Sequence, residues 1–209
     1  MARLRAGILG NIRGKVAGVV GSQWKDKNYI REYVKPANPQ TALQTTHRQK
    51  MGRIVSFAKW LVGPVFNTYS DRFYKSMSGF NAFIKEYITT FTASPNYVAY
   101  LITVGKLSPL IGNTAVYTTG TGACVNTFDK NLGNNGADTD KVFSCVFDKG
   151  TGLWYFSSAE VDRSTETITV TCDTGLTATD LVAYIFAAQY VGTLVKLLSN
   201  SDAIVGEAA

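Results

Sequence analysis

The hydrophobic pattern of the chain changes near residue 97, and this change constrains the fold more than any other feature. Beyond it, short runs of β-branched and aromatic residues alternate with clusters of Gly, Asn and Asp. The runs cover residues 98–104, 115–118, 123–128, 141–147, 153–157, 165–171 and 181–189, and a last one near 193–198 can complete a sheet. Many short strands separated by turn residues are typical of antiparallel sandwiches. We therefore predict that residues 95–209 form an immunoglobulin- or fibronectin-like β-sandwich.

Glycines punctuate the N-terminal segment at intervals of three or four residues, at Gly7, Gly10, Gly14, Gly18 and Gly21. Each would weaken a helix by about 1 kcal/mol relative to Ala, whereas the Val and Ile residues between them favour short strands with tight turns. We predict a twisted ribbon of residues 7–23 paired with 29–35, with Tyr29, Arg31 and Tyr33 on one face. The glycines would allow a neighbouring backbone to approach closely. Because a lone hairpin is marginal in water, the ribbon needs its own helices or another subunit to pack against.

Two helical segments are predicted to follow the ribbon. The first starts with Asn38 as N-cap and Pro39 at the first helical position. Its apolar face is predicted to include Leu43, His47, Met51, Ile54, Val55, Ala58, Leu61 and Val62. Gly63 and Pro64 are expected to break or kink it before a second helix at about 65–89. The predicted class is α+β, with a basic ribbon and helical hairpin in residues 1–94 followed by the sandwich in 95–209.

The charge is distributed unevenly along the chain, which has a net charge of +6. Residues 1–90 contain 15 Lys/Arg and 4 Asp/Glu, whereas residues 91–209 contain 6 and 11. The basic half therefore either faces an anionic partner or is simply solvated. Our candidate contacts for an acidic protein or for phosphates lie on the ribbon and its turn. They are five basic residues and the aromatic residue beside them: Arg13, Lys15, Lys25, Lys27 and Arg31, with Trp24.

The sequence offers little for catalysis or metal binding. His47 is the one histidine, and a lone histidine on a helix is more often a core or interface residue than a ligand. Cys124, Cys145 and Cys172 lack metal-ligand spacing and are predicted to be buried and reduced, as in a reducing cytoplasm. The Asp residues of the sandwich fall in predicted turns. We identify no catalytic, cofactor-binding or metal-ligating residues, no export signal and no membrane span, and we predict a non-enzymatic protein.

The pattern of the chain resembles a family of uncharacterised proteins that is widespread in Bacteroidota and in phages of that phylum, including crAss-like phages. The resemblance rests on the glycine ladder through Trp24, on Arg31, and on a motif at the predicted helix start with Asn38, Pro39, Thr41, Gln44 and Arg48. In outline it extends to Gly79-Phe-Asn81 and to the C-terminal half. Asp26-Lys27 stands where the family often has Gly after the Trp-Lys pair, so the resemblance does not define the shape of that turn.

The resemblance implies a phage or prophage origin and a structural role in the virion. We accordingly expect a head, neck or tail component that assembles in the bacterial host cytoplasm through its basic ribbon. Its expected partners are other virion proteins and further copies of itself. Two alternatives remain at this stage: a nucleic-acid-binding protein that uses the ribbon, and a glycan-binding adhesin that uses the immunoglobulin-like half.

Overall fold

The computed structural model of the protein describes residues 2–4, 13–24, 27–35, 37–38, 40–74, 76–130, 132–133 and 135–208. It confirms the predicted α+β class, with one long helix and several mainly antiparallel sheets. The chain divides into two compact units, Met1–Gln44 and Thr45–Ala209. Over the described ranges, no helix has the length and apolar character needed to span a membrane.

The N-terminal unit contains one four-stranded antiparallel sheet. Its strands are β1 (Ala2–Leu4), β2 (Gly14–Val16), β3 (Val19–Trp24) and β4 (Lys27–Glu32), in the order β1-β4-β3-β2. The predicted ribbon differs from this arrangement, since β3 and β4 form a hairpin and two shorter strands flank it. Residues 7–12 of the prediction lie outside the described residues.

A long helical stretch begins with α1 (Ala42–Ala58). It continues through a 3₁₀ turn (Lys59–Leu61), a π-helical segment (Val62–Ser70) and a second 3₁₀ turn (Asp71–Phe73). Of the two predicted outcomes at Gly63-Pro64, a break or a kink, only the break is excluded, because the helical stretch continues there in π geometry after regular α geometry has ended at Ala58. The wider π turn accommodates the proline, and the hydroxyl of Thr68 donates to the carbonyl oxygen of Gly63 at 2.9 Å. A second helix, α2 (Gly79–Tyr87), starts where Ser78 Oγ accepts from the backbone N–H of Asn81.

The predicted apolar face of α1 is only partly correct. Ile54 and Ala58 are fully buried, but Leu43 is 85% exposed and His47 is exposed as well. In α1 the buried residues are Ile54, Phe57 and Ala58, so its last turns alone contribute to a core. The 3–4 spacing of apolar residues was correct for the end of the helix and misleading for its first half.

The remaining strands form two sheets. The central sheet has the order β12-β11-β7-β8, with β13 and β9 also paired to it, and the outer sheet has the order β10-β6-β5-β14. The strands are β5 (Ile111–Thr118), β6 (Ala123–Asp129), β7 (Lys141–Asp148), β8 (Trp154–Phe156), β9 (Val161–Asp162), β10 (Thr167–Thr171), β11 (Leu181–Val191), β12 (Leu194–Leu198), β13 (Asp202–Val205) and β14 (Glu207–Ala208). Short 3₁₀ turns lie at Tyr97–Ala99, Arg163–Thr165 and Ala178–Asp180.

The central sheet is buried on both faces, so this unit has three layers. Along β11, Val182, Tyr184 and Phe186 face the helices and join one cluster with Phe57 and Leu61. The alternate residues of β11 face the outer sheet, where they join clusters with residues of β5, β6 and β10. A strand that is apolar on both faces is typical of the middle layer of such a stack.

The division between the units differs from the predicted boundary at residues 94 and 95. The helical residues from 54 onward share a core with the central sheet, so the compact unit begins at Thr45. A second difference concerns residues 98–104, which form no strand: the first two belong to the 3₁₀ turn Tyr97–Ala99 and the rest is irregular. Their polar groups bond instead to the turn after β12, through Ile102 N to Ser201 Oγ and Thr103 Oγ1 to the carbonyl oxygen of Ser199.

All three cysteines are buried and unpaired, as predicted. Burial raises the pKa of the Cys124 thiol from its ordinary value of 9.0 to about 11 and that of Cys172 to about 12. Burial also raises the pKa of Cys145. Because a thiol reacts as the thiolate, these shifts protect all three side chains.

We expect each cysteine of the native protein to react with Ellman's reagent at least about 100-fold more slowly than in denaturant, because two pKa units lower the thiolate fraction about 100-fold. The reaction should be followed at mildly alkaline pH with and without denaturant. A single thiol that reacts equally fast in both conditions would contradict this prediction.

Candidate interaction surface

The register of the N-terminal sheet sorts its side chains onto two different faces. Lys15 lies opposite Val20, and Val20 lies opposite Arg31. Two residues along the strand, Ser22 lies opposite Tyr29. Since successive strand residues point to opposite faces and paired residues point to the same one, these side chains share a face. We call Lys15, Val20, Ser22, Tyr29 and Arg31 the basic–aromatic face.

Tyr33 extends this face just beyond the end of β4. The Nζ atom of Lys15 lies 3.6 Å from the centroid of the Tyr33 ring. The backbone N–H of Tyr33 donates to the carbonyl oxygen of Gly18 at 2.8 Å, which fixes the chain beside the turn. Tyr33 is 44% exposed, and Lys15 and Arg31 are exposed as well. The predicted alternation of Tyr29 and Arg31 on one face is thus present in the sheet.

The opposite face is formed by small and apolar residues. Gly14 pairs with Gly21, which pairs with Ile30, and Val16 pairs with Val19. Val16 is 61% exposed and Val19 is 42% exposed. Among the residues of this unit whose burial the structure describes, only Gly21 is buried. We call Gly14, Val16, Val19, Gly21 and Ile30 the glycine–valine face.

The structure describes three of the five glycines that were predicted to allow close approach of a neighbouring backbone. Gly14 has a φ of +94°, a conformation that favours glycine. A Cβ atom added at Gly14 or Gly18 would meet nothing within 4 Å, so the backbone there is open to a neighbouring molecule. Gly21 lies in β3 at the centre of the face. Gly7 and Gly10 lie outside the described residues.

The predicted basic contacts are only partly brought together. Lys15 and Arg31 lie in one row of the sheet, whereas Arg13 precedes β2 and donates a hydrogen bond to Gln23 Oε1. Trp24 and Lys27 pair at the closed end of the β3–β4 hairpin. Lys25 lies outside the described residues.

The predicted helix start requires a correction. α1 begins at Ala42, and Thr41 caps it by accepting a hydrogen bond from the backbone N–H of Gln44 at 3.4 Å. Asn38 is therefore not the N-cap, and Pro39 lies outside the described residues. Thr41 and Gln44 have the spacing of a capping box, a signal in the sequence that would have placed the helix start correctly. Arg48 lies on the exposed first half of α1.

The charge of the whole chain can be attributed to the N-terminal unit. Residues 1–44 contain 8 Lys/Arg and 2 Asp/Glu, which equals the net charge of +6. Glu32 pairs with Val19 and so lies on the glycine–valine face, and Asp26 lies outside the described residues. The basic–aromatic face, as described, contains no carboxylate.

Polar groups of the second unit bond mainly to one another. Glu160 accepts hydrogen bonds from the phenols of Tyr69 and Tyr190, the latter at 2.6 Å. Burial and the hydrogen bond to Glu160 raise the pKa of Tyr190 to about 12, so the phenol remains a donor at neutral pH. This cluster borders a cavity of about 550 Å³, whose other carboxylate, Asp140, is paired with Arg163. Within the described ranges, no group of three or more His, Cys, Asp or Glu side chains could hold a metal ion.

Comparison with known proteins identifies a family but no function. No curated protein and no solved structure is similar to the chain. A family model described as a family of unknown function, DUF6266, matches residues 11–200. The match includes β2, β3 and β4 of the N-terminal sheet and most of the second unit. The chain therefore belongs to the DUF6266 family.

Proposed function

We propose that the chain is a non-catalytic structural protein of a virion that assembles through its N-terminal sheet. One observation carries the proposal: among the residues of this four-stranded sheet whose burial the structure describes, only Gly21 is buried. Small sheets need an apolar face packed against something to be stable in water. Val16 and Val19 are instead 61% and 42% exposed on the glycine–valine face, and in this proposal a second molecule covers them.

A second copy of the same chain is the partner that the charges favour. The N-terminal unit carries the entire net charge of +6, and the second unit has no net charge but contains an acidic stretch, since residues 91–209 carry 6 Lys/Arg against 11 Asp/Glu. The basic unit of one copy is therefore attracted to the acidic part of the next. Such a contact joins unlike surfaces, and its repetition gives a ring when the rotation closes.

The glycines suit this type of contact. The open space beside Gly14 and Gly18 allows the backbone of a neighbour to lie close to the sheet. β2 is also at one edge of the sheet, and an edge strand can pair with a strand of a neighbour. In this proposal the N-terminal segment acts as a glycine-rich clasp.

The biological setting is proposed on the resemblance described above. We place the protein in the head, neck or tail of a phage that infects Bacteroidota, with the second unit exposed on the particle. We also propose that the two stacked sheets of this unit form an immunoglobulin-like sandwich. The central and outer sheets share their clusters across the stack, which supports this proposal.

The full-length protein is expected to form a discrete oligomer, measured by light scattering on a sizing column. Replacing Val16 and Val19 together by Asp should raise the dissociation constant at least about 100-fold, because burying each valine contributes about 1.5 kcal/mol or more. High salt should weaken the oligomer as well, since the attraction between the charged parts is screened.

The matched control is the replacement of Val191 and Val205 by Asp. These residues are 62% and 41% exposed and lie in strands of the second unit, so the control adds the same charge at the same exposure. Its mass should remain that of the unaltered protein. A monomer at low and at high salt, or an oligomer that survives the change at Val16 and Val19, would overturn the proposal.

A further inference from the structure

The basic–aromatic face of the N-terminal sheet has a chemistry that homo-oligomer assembly does not require. It combines two exposed cations, Lys15 and Arg31, with the rings of Tyr29 and Tyr33. The valines invoked for assembly lie on the opposite face. The two faces can therefore have different ligands.

The arrangement along β4 is regular. Tyr29, Arg31 and Tyr33 are two residues apart, so neighbouring side chains of this row are separated by roughly 7 Å. That distance is comparable with the spacing of neighbouring phosphates in an extended nucleic acid strand. Lys15 lies across the sheet from Arg31, with Val20 between them, and adds a second cation to the same path.

We propose that this face binds single-stranded nucleic acid, with Lys15 and Arg31 on the phosphates and the tyrosine rings against the bases. Proteins that bind single strands combine a cationic surface that follows the backbone with aromatic rings on which bases stack. The rings of Tyr33, which is exposed, and Tyr29, which is half-buried, favour a single strand over a duplex, because the bases of a duplex are already stacked. They also favour nucleic acid over an acidic peptide, which would use the cations and leave the rings without a matching group.

The contact of Lys15 with Tyr33 is compatible with this role. A cation over a ring is held by the electrostatic field of the ring and keeps its full charge. The ammonium group therefore remains able to pair with a phosphate, and the contact limits the conformations of a long flexible side chain. No described carboxylate shares the face, since Glu32 lies on the opposite one.

The first test is the affinity of the full-length protein for a labelled oligothymidylate of about 20 nucleotides, at a series of salt concentrations. With phosphate contacts from Lys15 and Arg31, the slope of log affinity against log salt should be about −1.4, because each contact on a single strand contributes about −0.7. The affinity should then fall roughly 7-fold from 50 to 200 mM salt. The variant K15Q/R31Q should lose most of this slope and bind more weakly at low salt.

Three further variants separate the specific role of the face from total charge and from folding. K106Q/K196Q removes two exposed positive charges from the second unit and should change the affinity no more than about twofold, because in this proposal the phosphates pair with Lys15 and Arg31 and not with the net charge of the chain. Tyr33→Leu should weaken binding at least about fivefold, and Tyr33→Phe should retain it, because stacking requires the ring and not the hydroxyl. Light scattering on each variant shows whether assembly is unchanged, so that a failure of this inference and a failure of the proposed function are distinguishable.

Comparing the affinities for three ligands distinguishes the classes of partner. A duplex of the same length and polyglutamate should both bind more weakly than the single strand. Equal or tighter binding of polyglutamate would overturn the inference in favour of an acidic protein surface. Equal binding of the duplex would overturn the stacking of bases on the rings, and absence of binding to all three would overturn the site itself.

Discussion

Replacing Arg163 by Met is expected to lower the free energy of unfolding by about 3–5 kcal/mol, because it leaves a buried charge without its partner. The Arg163 side chain is fully buried, and its Nη1 atom lies 3.3 Å from Oδ2 of Asp140, which is buried as well. Its Nη2 atom donates to the carbonyl oxygens of Ser108 and Pro109 at 2.6 and 3.1 Å. The substitution removes the cation and both carbonyl contacts while the volume stays similar.

The neighbouring residues provide the control. Lys141 and Asp162 follow Asp140 and precede Arg163 in the chain, pair in register across β7 and β9, and form an ion pair whose side chains are 41% and 47% exposed. Lys141→Ala should cost at most about 1 kcal/mol, because exposed pairs contribute little. Chemical denaturation of both variants measures the difference. Equal losses would show that burial does not determine the contribution of the Arg163 pair.

The pairing of Asp140 with Arg163 could not be predicted from the sequence. Asp140 was predicted as an ordinary turn residue, and the prediction is correct about its place before β7. Its burial depends on an arginine that is distant in the sequence and that reaches it only when β9 pairs with β7. A pattern of turn residues does not indicate which distant side chain will pair with one of them and bury it.

The sequence predicts the strands of the second unit best where an apolar run is bounded by turn residues on both sides. The run predicted at 141–147 is β7 (Lys141–Asp148), and the run predicted at 123–128 is β6 (Ala123–Asp129). β14 was missed because it has two residues and owes its pairing with β5 to the tertiary fold. Residues 98–104 have β-type composition, but their hydrogen-bond partners near Ser201 are almost 100 residues away.

The sequence predicts which residue types the interaction surface contains, but not which of them share a face of the sheet. The sequence indicates a basic, glycine-rich segment and the alternation of Tyr29 with Arg31. That Lys15 joins them while the valines lie on the other face depends on the register of β2 with β3. A shift of one residue in this register would move Lys15 to the glycine–valine face. The separation of the two faces could therefore be determined only from the paired strands.

The predicted boundary between helices and sandwich can be tested at one residue. Phe57 is 4% exposed at the end of α1. Its ring centroid lies within 6.4 Å of the rings of seven aromatic residues from both layers, which are Phe83, Phe91, Tyr97, Tyr100, Phe147, Trp154 and Tyr184. Its carbonyl oxygen accepts a hydrogen bond from Nε1 of Trp154 in β8 at 2.9 Å. Phe57 thus connects the helical layer to the central sheet.

Phe57→Ala should lower the free energy of unfolding by about 3–5 kcal/mol, because it removes a large buried ring and leaves a cavity between two layers. Since the layers share one core, the helical and the tertiary signals should still be lost at the same denaturant concentration. Circular dichroism in the far and near ultraviolet measures the two signals.

Trp60→Ala is the matched control, since Trp60 lies three residues further along the same helical stretch and is 53% exposed. It should change the free energy of unfolding by no more than about 0.5 kcal/mol. If Phe57→Ala instead melted the helices early and left the sheets at their original midpoint, the two layers would be independent folding units. The boundary near residue 94, and not the one at Thr45, would then divide the chain.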